Sequence, residues 1–273
     1  VVVPLPPDRH DVVVAFLSDL GYEAFLESEI DLRAYIPVVR DSQAFRDATS
    51  QAVQRVAGAH PLAFHVIPAR NWNEEWERAA VPVVAGRFVI LPGWSEASTS
   101  GKVPLWIARK MSFGTGHHES TRLALGFVEE LVFQGASVLD AGTGTGILGI
   151  AAALLGAERV IAFDIDEWSA SNCMENVRRN SVSDRIRFIH GDLSSVSESD
   201  FDLILANINR NTLLELLPDL SGRLNERGSI VLSGLLPGDR DQIIRSAERL
   251  DLVLADEASE SEWWAASLVR ARG

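Results

Sequence analysis

A glycine-rich segment follows a short apolar run in the order Asp140-Ala-Gly142-Thr-Gly144-Thr-Gly146. Glycines permit a tight turn and let the backbone approach a ligand closely. A second apolar run ends at Asp164, 20 residues beyond Gly144. A carboxylate at that position can accept hydrogen bonds from ribose hydroxyls. The spacing therefore predicts a nucleoside-binding site, to which Gly142, Gly144 and Asp164 contribute.

Two kinds of nucleoside cofactor fit this segment. The spacing Gly144-x-Gly146-x-x-Gly149 also satisfies the dinucleotide fingerprint, which is a weak signal by itself. Asp140 would repel a pyrophosphate, whereas it can hold the ammonium group of a methionine, directly or through water. No convincing His or Tyr/Lys pair for hydride transfer is evident. The residues therefore favour S-adenosyl-L-methionine and a methyltransferase over a nicotinamide-dependent oxidoreductase.

An asparagine stands where a substrate could meet this cofactor. A later apolar run ends in Ala206-Asn207-Ile208-Asn209. We expect the side-chain oxygen of Asn207 to accept amine N–H groups and to aim the nitrogen lone pair at the methyl group, so that catalysis comes mostly from positioning. The alternative is a turn residue whose side chain caps its own backbone.

The loop at 112–121 is expected to lie over the methionine part of the cofactor. Gly114 lets this loop fold tightly, and Phe113 is a candidate to cover the target nitrogen. Thr121 offers a hydroxyl at the start of the next helix. The alternative for Thr121, and equally for Ser120, is a helix cap without a cofactor contact.

Three further polar residues have a functional and an ordinary interpretation. Asp192 can bind the adenine amino group or belong to a surface turn. The pair His117-His118 invites a metal site, but no cysteine or carboxylate cluster at ligand spacing supports one, so no metal is expected. One of these histidines can accept the amine proton because a histidine pKa is near neutral, or both are simple loop residues.

Strands and helices alternate from residue 105 onward. The expected strands cover residues 137–140, 160–164, 186–190, 203–206, 229–233, 253–257 and 264–269. The expected helices include 147–155 and 168–180, the second capped by Asp166. Such alternation implies right-handed crossovers and a mostly parallel sheet. The predicted fold class is α/β, with a Rossmann-like class I methyltransferase domain around a mostly parallel seven-stranded sheet.

The chain divides into three parts by pattern. Residues 1–65 read as a small α+β domain without a catalytic constellation, including a helix pattern at 42–57. Residues 66–104 read as a linker, and residues 105–273 as the catalytic domain. No apolar run approaches the ~18 residues of a membrane span, so no membrane association is expected.

Composition limits the partners and the setting. The formal net charge is −13, which disfavours direct nucleic-acid binding and suits a basic protein partner. The single cysteine, Cys173, cannot form an internal disulfide and fits a reduced, cytoplasmic location. Its helical setting predicts a small buried residue.

Four blocks are together far more specific than the glycine loop. They are Asn71-Trp-Asn-Glu-Glu-Trp76, Lys110-Met-Ser-Phe-Gly-Thr-Gly-His-His-Glu-Ser-Thr121, Val138-Leu-Asp-Ala-Gly-Thr-Gly-Thr-Gly-Ile147 and Leu205-Ala-Asn-Ile-Asn209. With these blocks the chain resembles the ribosomal protein methyltransferases called PrmA. The resemblance spans residues 71–209, and the N-terminal region has compatible size and order.

The resemblance implies a protein-lysine methyltransferase with a defined partner. It implies a small N-terminal domain that recognises a large-subunit ribosomal protein, a linker and a Rossmann-like catalytic domain. It also implies methylation of lysine ε-amines and an α-amine. By position, the residues that match the family's cofactor contacts are Thr121, Gly142, Asp164 and Asn207. We expect a monomer.

Overall fold

The computed structural model describes most of the chain, in two units. It describes residues 1–22, 24–28, 30–58, 62–66, 82–92, 99, 101–108, 114 and 116–271. Contacts within the chain separate Val1–Asn71 from Trp72–Gly273. The sequence block at 71–76 lies outside the described residues.

The first unit is an α+β fold around a three-stranded antiparallel sheet with the order β1-β3-β2. Its elements are β1 (Val2–Val3), α1 (His10–Asp19), β2 (Ala24–Glu27), β3 (Leu32–Tyr35) and α2 (Gln43–Ala57). Leu17 of α1, Leu32 of β3 and Val53 of α2 meet in its core. Helix α2 begins where the Ser42 hydroxyl accepts a hydrogen bond from the Phe45 amide at 3.2 Å, which satisfies a free N–H of the first turn.

The second unit is built on a seven-stranded sheet with the order β12-β13-β11-β10-β7-β8-β9. The strands are β7 (Ser137–Ala141), β8 (Arg159–Asp164), β9 (Ile186–His190), β10 (Phe201–Asn207), β11 (Leu224–Leu235), β12 (Leu252–Glu260) and β13 (Trp263–Arg270). The pairs from β9 through β11 are parallel, and β13 is antiparallel to β11 and β12. The predicted α/β class and mostly parallel seven-stranded sheet are therefore confirmed.

Helices cover both faces of this sheet. They are α3 (Glu119–Leu131), α4 (Ile147–Leu155), α5 (Glu167–Arg179), α6 (Arg210–Arg223) and α7 (Arg240–Glu248). Helix α4 is buried from Ile147 to Ala153 because its residues are apolar along most of its length. The predicted bounds of α4 are confirmed, and the side chain of Asp166 caps α5 as expected, accepting from the Trp168 amide at 3.2 Å. Cys173 is buried in α5, also as expected.

A second, small sheet belongs to the second unit. Its strands β4 (Val83–Ala85), β5 (Phe88–Pro92) and β6 (Val103–Ile107) follow the order β4-β5-β6. Phe88 and Ile90 are buried in the same core cluster as Leu125 of α3 and Ile150 of α4. Residues 83–92 and 103–107 are thus sheet, although the sequence analysis placed 66–104 in a linker. The physical reason is the apolar run in β5, which is buried on both faces.

Candidate active site

The candidate site lies where the strand order of the large sheet reverses. Strand β7 sits between β8 and β10, and the chain turns from one side of the sheet to the other there. In open α/β sheets, ligands bind at the carboxyl ends of the strands at such a switch point. The structure brings three predicted residues to this edge: Gly142 follows β7, Asp164 ends β8 and Asn207 ends β10.

The glycine loop between β7 and α4 is tightly packed. Gly142 has a φ of +67°, which side-chain-bearing residues rarely adopt. A Cβ at Gly142 would also lie 2.5 Å from Cγ2 of Ile208. The loop therefore requires glycine at this position because the Asn-Ile-Asn segment lies directly against it.

The carboxylate of Asp140 holds this loop from beneath. Its Oδ2 accepts hydrogen bonds from the Thr143 hydroxyl at 2.6 Å and from the Gly149 amide at 3.0 Å. Asp140 is 1% exposed, and its contact with a methionine ammonium, directly or through water, stays a prediction. Burial raises the pKa of Asp140 to about 6, against the lowering effect of the two hydrogen bonds. Its role in the structure is to shape the loop.

Asp164 lies half-buried beside the loop, at the end of β8. Its Oδ2 accepts from the Gly144 amide at 2.8 Å, and its Oδ1 accepts from the Asp166 amide at 3.0 Å. Each carboxylate oxygen can accept a further hydrogen bond, so these contacts leave acceptor capacity for a ribose. Asp164 thus links the glycine loop to the neighbouring strand end.

Asp192 follows the end of β9 on the same edge of the sheet. It is exposed, and its Oδ1 accepts from the amide of Ser194 at 3.0 Å and from its hydroxyl at 2.5 Å. The Ser194 hydroxyl bond is the largest cause that holds the pKa of Asp192 below its usual value. The surface-turn interpretation describes its local structure, and an adenine contact stays a prediction.

Asn207 presents a buried acceptor at this edge. Its Nδ2 donates to Oγ1 of Thr121 at 3.4 Å. Its Oδ1 is buried and has no hydrogen-bond partner within the part of the chain that the structure describes. The interpretation of Asn207 as a cap of its own backbone is wrong, because Asn209 caps α6 by accepting from the Thr212 amide at 3.0 Å.

Thr121 is fully buried in the first turn of α3, where its hydroxyl faces Asn207. The alternative that Ser120 or Thr121 caps this helix is wrong. The cap is His118, whose Nδ1 accepts from the Ser120 amide at 3.3 Å. The His118 ring also contacts the Trp263 ring, with centroids 4.4 Å apart.

Two residues that sequence reasoning missed hold Asn207 in place. The Ser233 hydroxyl, at the end of β11, donates to the Ser120 carbonyl oxygen at 2.8 Å and so joins β11 to the start of α3. Gly234 has a φ of +80°, and a Cβ there would lie 3.0 Å from Oδ1 of Asn207. A Ser-Gly pair at the end of an apolar strand was the available signal for a close approach of this kind.

Only part of the 112–121 loop is described. The Gly114 carbonyl oxygen accepts from the Thr145 hydroxyl at 2.6 Å, so this loop touches the glycine loop, and its place over the methionine part of the cofactor stays a prediction. Phe113 lies outside the described residues, and its role stays a prediction.

A row of buried asparagines on α5 supports the site from the side. Asn176 donates from Nδ2 to the Thr145 carbonyl oxygen at 2.9 Å and accepts at Oδ1 from the Ala108 amide at 2.8 Å. Asn180, one turn later, makes the same two kinds of bond to Trp106 of β6. The four-residue spacing of these asparagines was a signal in the sequence that we did not use.

The described residues offer neither a metal cluster nor a membrane-spanning helix. Among the described residues, no group of three or more His, Cys, Asp or Glu side chains is arranged to hold a metal ion. No described helix combines the length and apolar character needed to cross a membrane.

Fold and site together define a Rossmann-like methyltransferase that takes its methyl group from S-adenosyl-L-methionine. The glycine loop, the acid at the end of β8 and the asparagine at the end of β10 lie at the carboxyl ends of neighbouring strands of such a sheet. The chain belongs to the family described as ribosomal protein L11 methyltransferase (PrmA), whose model matches residues 9–271.

Individual relatives agree over most of the chain. The ribosomal protein L11 methyltransferase of Chlorobaculum tepidum is 37% identical over 267 residues, which cover 95% of this chain and 92% of the relative. That of Porphyromonas gingivalis is 36% identical over 257 residues, which cover 93% and 88%. A crystal structure of ribosomal protein L11 methylase from Lactobacillus delbrueckii subsp. bulgaricus is 29% identical, with a TM-score of 0.66 over 70% of this chain and 99% of that one.

Proposed function

We propose that the protein transfers methyl groups from S-adenosyl-L-methionine to amine nitrogens of ribosomal protein L11, on lysine side chains and on the N-terminal α-amine. The observation that carries this proposal is Oδ1 of Asn207, a buried acceptor without a partner among the described residues. A buried acceptor left unpaired is costly. An amine N–H beside the glycine loop would satisfy it.

The residues present fit the methyl donor. S-adenosyl-L-methionine, when bound, supplies an electrophilic methyl group. Asp164 is positioned to accept from ribose hydroxyls, and the backbone at Gly142 and Gly144 admits the ligand at the carboxyl end of β7. We also assign cofactor contacts to Thr121, Gly114, Phe113 and Asp192.

The substrate amine must reach the site without its proton. A free lysine has a pKa of ~10.4 and an α-amine ~7.7–8.0, so the pKa of the lysine must be lowered further before it loses its proton near neutral pH. Burial disfavours the charged amine and lowers its pKa. Asn207 accepts an N–H of the neutral amine, and this contact points the nitrogen lone pair toward the methyl group. Thr121 fixes the amide plane of Asn207 by accepting from its Nδ2.

The division of labour along the chain is also part of the proposal. We assign recognition of the ribosomal protein to residues 1–65 and catalysis to residues 105–273, joined through 66–104. A cavity of about 350 Å³ in the first unit, lined in part by Tyr22, Phe45 and Arg46, offers that unit a place to hold a side chain.

The net charge and the cysteine content support a proposed type of partner and a proposed cellular location. A net charge of −13 favours a basic protein substrate over direct nucleic-acid contact. One buried cysteine is compatible with the reducing cytoplasm. We propose that the enzyme acts there as a monomer.

Methylation of purified ribosomal protein L11 tests the proposal. The full chain is incubated with labelled S-adenosyl-L-methionine and L11, and the modified residues are mapped by mass spectrometry. We expect methyl groups on lysine side chains and the α-amine. In Asn207→Ala we expect kcat to fall by about 10²-fold or more, with a much smaller change in cofactor Kd, because the positioning acceptor is lost.

Two results would contradict this account. Methyl transfer confined to small amines, with none to L11, would exclude the ribosomal protein as the substrate. Equal losses of cofactor affinity and turnover in Asn207→Ala would limit Asn207 to a cofactor contact.

A further inference from the structure

A groove crosses the outer face of α3 within the second unit. It is lined by residues 84–86, by one side of α3 between residues 122 and 130, and by alternate residues of β12 between 256 and 260, and it has a volume of about 350 Å³. Helix α3 forms its floor, and β4 and β12 form its walls. Both walls are edge strands of their sheets, so each carries unpaired backbone groups that can bind an extended chain.

Apolar side chains and a glycine form part of the α3 groove. Val84 is 57% exposed on one wall, and Leu123 and Phe127 line the helix side. Gly126 lies in the interior of α3, where glycine weakens a helix relative to alanine. A Cβ at Gly126 would meet no described atom within 4 Å. Packing within the described chain therefore does not require glycine there, and the space is free for a bound segment.

The rim of the groove is acidic. Glu130 and Asp256 are exposed, and neither forms an ion pair with a cation among the described residues. Glu260 pairs with Arg122 at 2.5 Å, which spans one end of the groove. The wall at β4 is held by Glu129, whose Oε2 accepts from the Arg87 amide at 2.8 Å. Hydrogen bonds and an ion pair thus connect both walls of the groove to α3. Its lining also offers apolar side chains and two carboxylates that have no ion-pair partner among the described residues.

The groove also lies next to the candidate active site along α3. Arg122, at its end, directly follows Thr121, whose hydroxyl accepts from Asn207. A polypeptide in the groove would therefore pass close to the site of methyl transfer.

We propose that the α3 groove docks a basic, extended segment of the protein substrate while one of its amines is methylated. This inference rests on the proposed function, since ribosomal proteins carry the Lys and Arg residues that neutralise RNA phosphates. Lysine and arginine stems cover the apolar side chains of the groove, and their charged ends reach Glu130 and Asp256. The open space beside Gly126 admits the backbone of the segment.

Two groove variants and two controls separate filling of the groove from reversal of its charge. Gly126→Leu places a side chain in the open space and strengthens the helix. Gly222→Leu is its matched control, because Gly222 also lies in a helix, α6, and its Cβ would meet no described atom within 4 Å, but it does not line the groove. Glu130→Lys combined with Asp256→Lys reverses the rim. Glu226→Lys is the charge control, since Glu226 is exposed at the start of β11 and does not line the groove.

The experiment measures methylation kinetics and equilibrium binding of fluorescently labelled L11 by the full-length enzyme. For Gly126→Leu and for the double reversal we expect KM and Kd for L11 to rise about tenfold, with kcat and cofactor affinity within about twofold. Wild-type affinity should fall as salt rises, and that of the double reversal much less, because rim charges act through screened attraction. Both control variants should behave as the wild type.

The outcomes distinguish the two proposals. If the wild type methylates L11 and both groove variants match it in KM and Kd, the groove proposal is overturned and the proposed function stands. If the wild type transfers no methyl group to L11, the proposed function is overturned. In that case the Kd values for L11 test the groove proposal. An unchanged Kd in the groove variants, or no binding of L11 at all, overturns the groove proposal. Weaker L11 binding in the groove variants but not in the controls supports it.

Discussion

A buried carboxylate lies beneath the glycine loop and holds it through two hydrogen bonds. Asp140 is 1% exposed and ties Thr143 and Gly149 together. The environment of this carboxylate is unfavourable for its charge, since burial raises its pKa to about 6 and the nearby charge of Asp164 acts in the same direction. The loop is therefore held by a group that titrates in an accessible pH range.

The pKa shift of Asp140 predicts a pH dependence of stability. The native state binds this proton more tightly than the unfolded chain, so the contribution of Asp140 is most favourable below pH ~4 and is lost as pH rises to about 6. Asp140→Asn removes this titration while keeping an oxygen acceptor. We expect the free energy of unfolding of the variant minus that of the wild type to increase between pH 4 and 6 and to level off above. Denaturant titrations at a series of pH values measure it, and a difference that stays flat would contradict the account.

Single residues differ in how far the sequence could predict them. The positions of Asp164 and Asn207 followed from their places at strand ends, because parallel strands bring their carboxyl ends to one edge. The cap of α3 did not follow, because Ser and Thr are preferred caps whereas the structure uses His118. Ser233 and Gly234 were missed because their effect is on a neighbouring strand, across a long sequence separation.

At the scale of elements, α5 joins the small sheet to the cofactor loop. Asn176 contacts both Ala108, after β6, and Thr145 of the loop. Asn180 contacts only β6 among these, through Trp106. The two asparagines therefore make the same kinds of hydrogen bond to different neighbours.

This difference predicts separate effects for two alanine substitutions. Asn176→Ala leaves the buried Thr145 carbonyl and Ala108 amide unpaired, and Asn180→Ala leaves the partly buried amide and carbonyl of Trp106 unpaired. The cost is up to ~1–3 kcal/mol for each group. Both should lower the free energy of unfolding by a few kcal/mol. Only Asn176→Ala should also weaken cofactor binding, by about tenfold, because only it frees the Thr145 carbonyl. Calorimetric Kd values check this, and an equal change in the two variants would refute a role for α5 in the loop.

Elements of the large sheet were predictable because their signals are local. Apolar runs of strand length alternate with helix patterns from residue 137 onward, and the structure extends several of these strands without changing their order. The small sheet was not predicted, because the loop-like composition at 96–102 led us to assign residues 66–104 to a linker. The run Phe88-Val-Ile-Leu was the available sign of a buried strand.

At the scale of the whole molecule, the chain couples an acidic character with a methyltransferase fold. The net charge is −13, and exposed carboxylates line the α3 groove. Charge of this sign steers a basic protein toward the enzyme. The sequence could predict the preference from composition, but the groove arises from β4, α3 and β12, which are far apart along the chain. Only the folded structure brings them together.

The most direct test of the account is a crystal structure of the full chain with S-adenosylhomocysteine, the product of methyl transfer. We predict that the adenosyl group lies across the carboxyl ends of β7 and β8 with its ribose hydroxyls on Asp164. The sulfur should face the side-chain oxygen of Asn207. A product bound elsewhere, or a crevice filled by the chain's own side chains, would contradict the account.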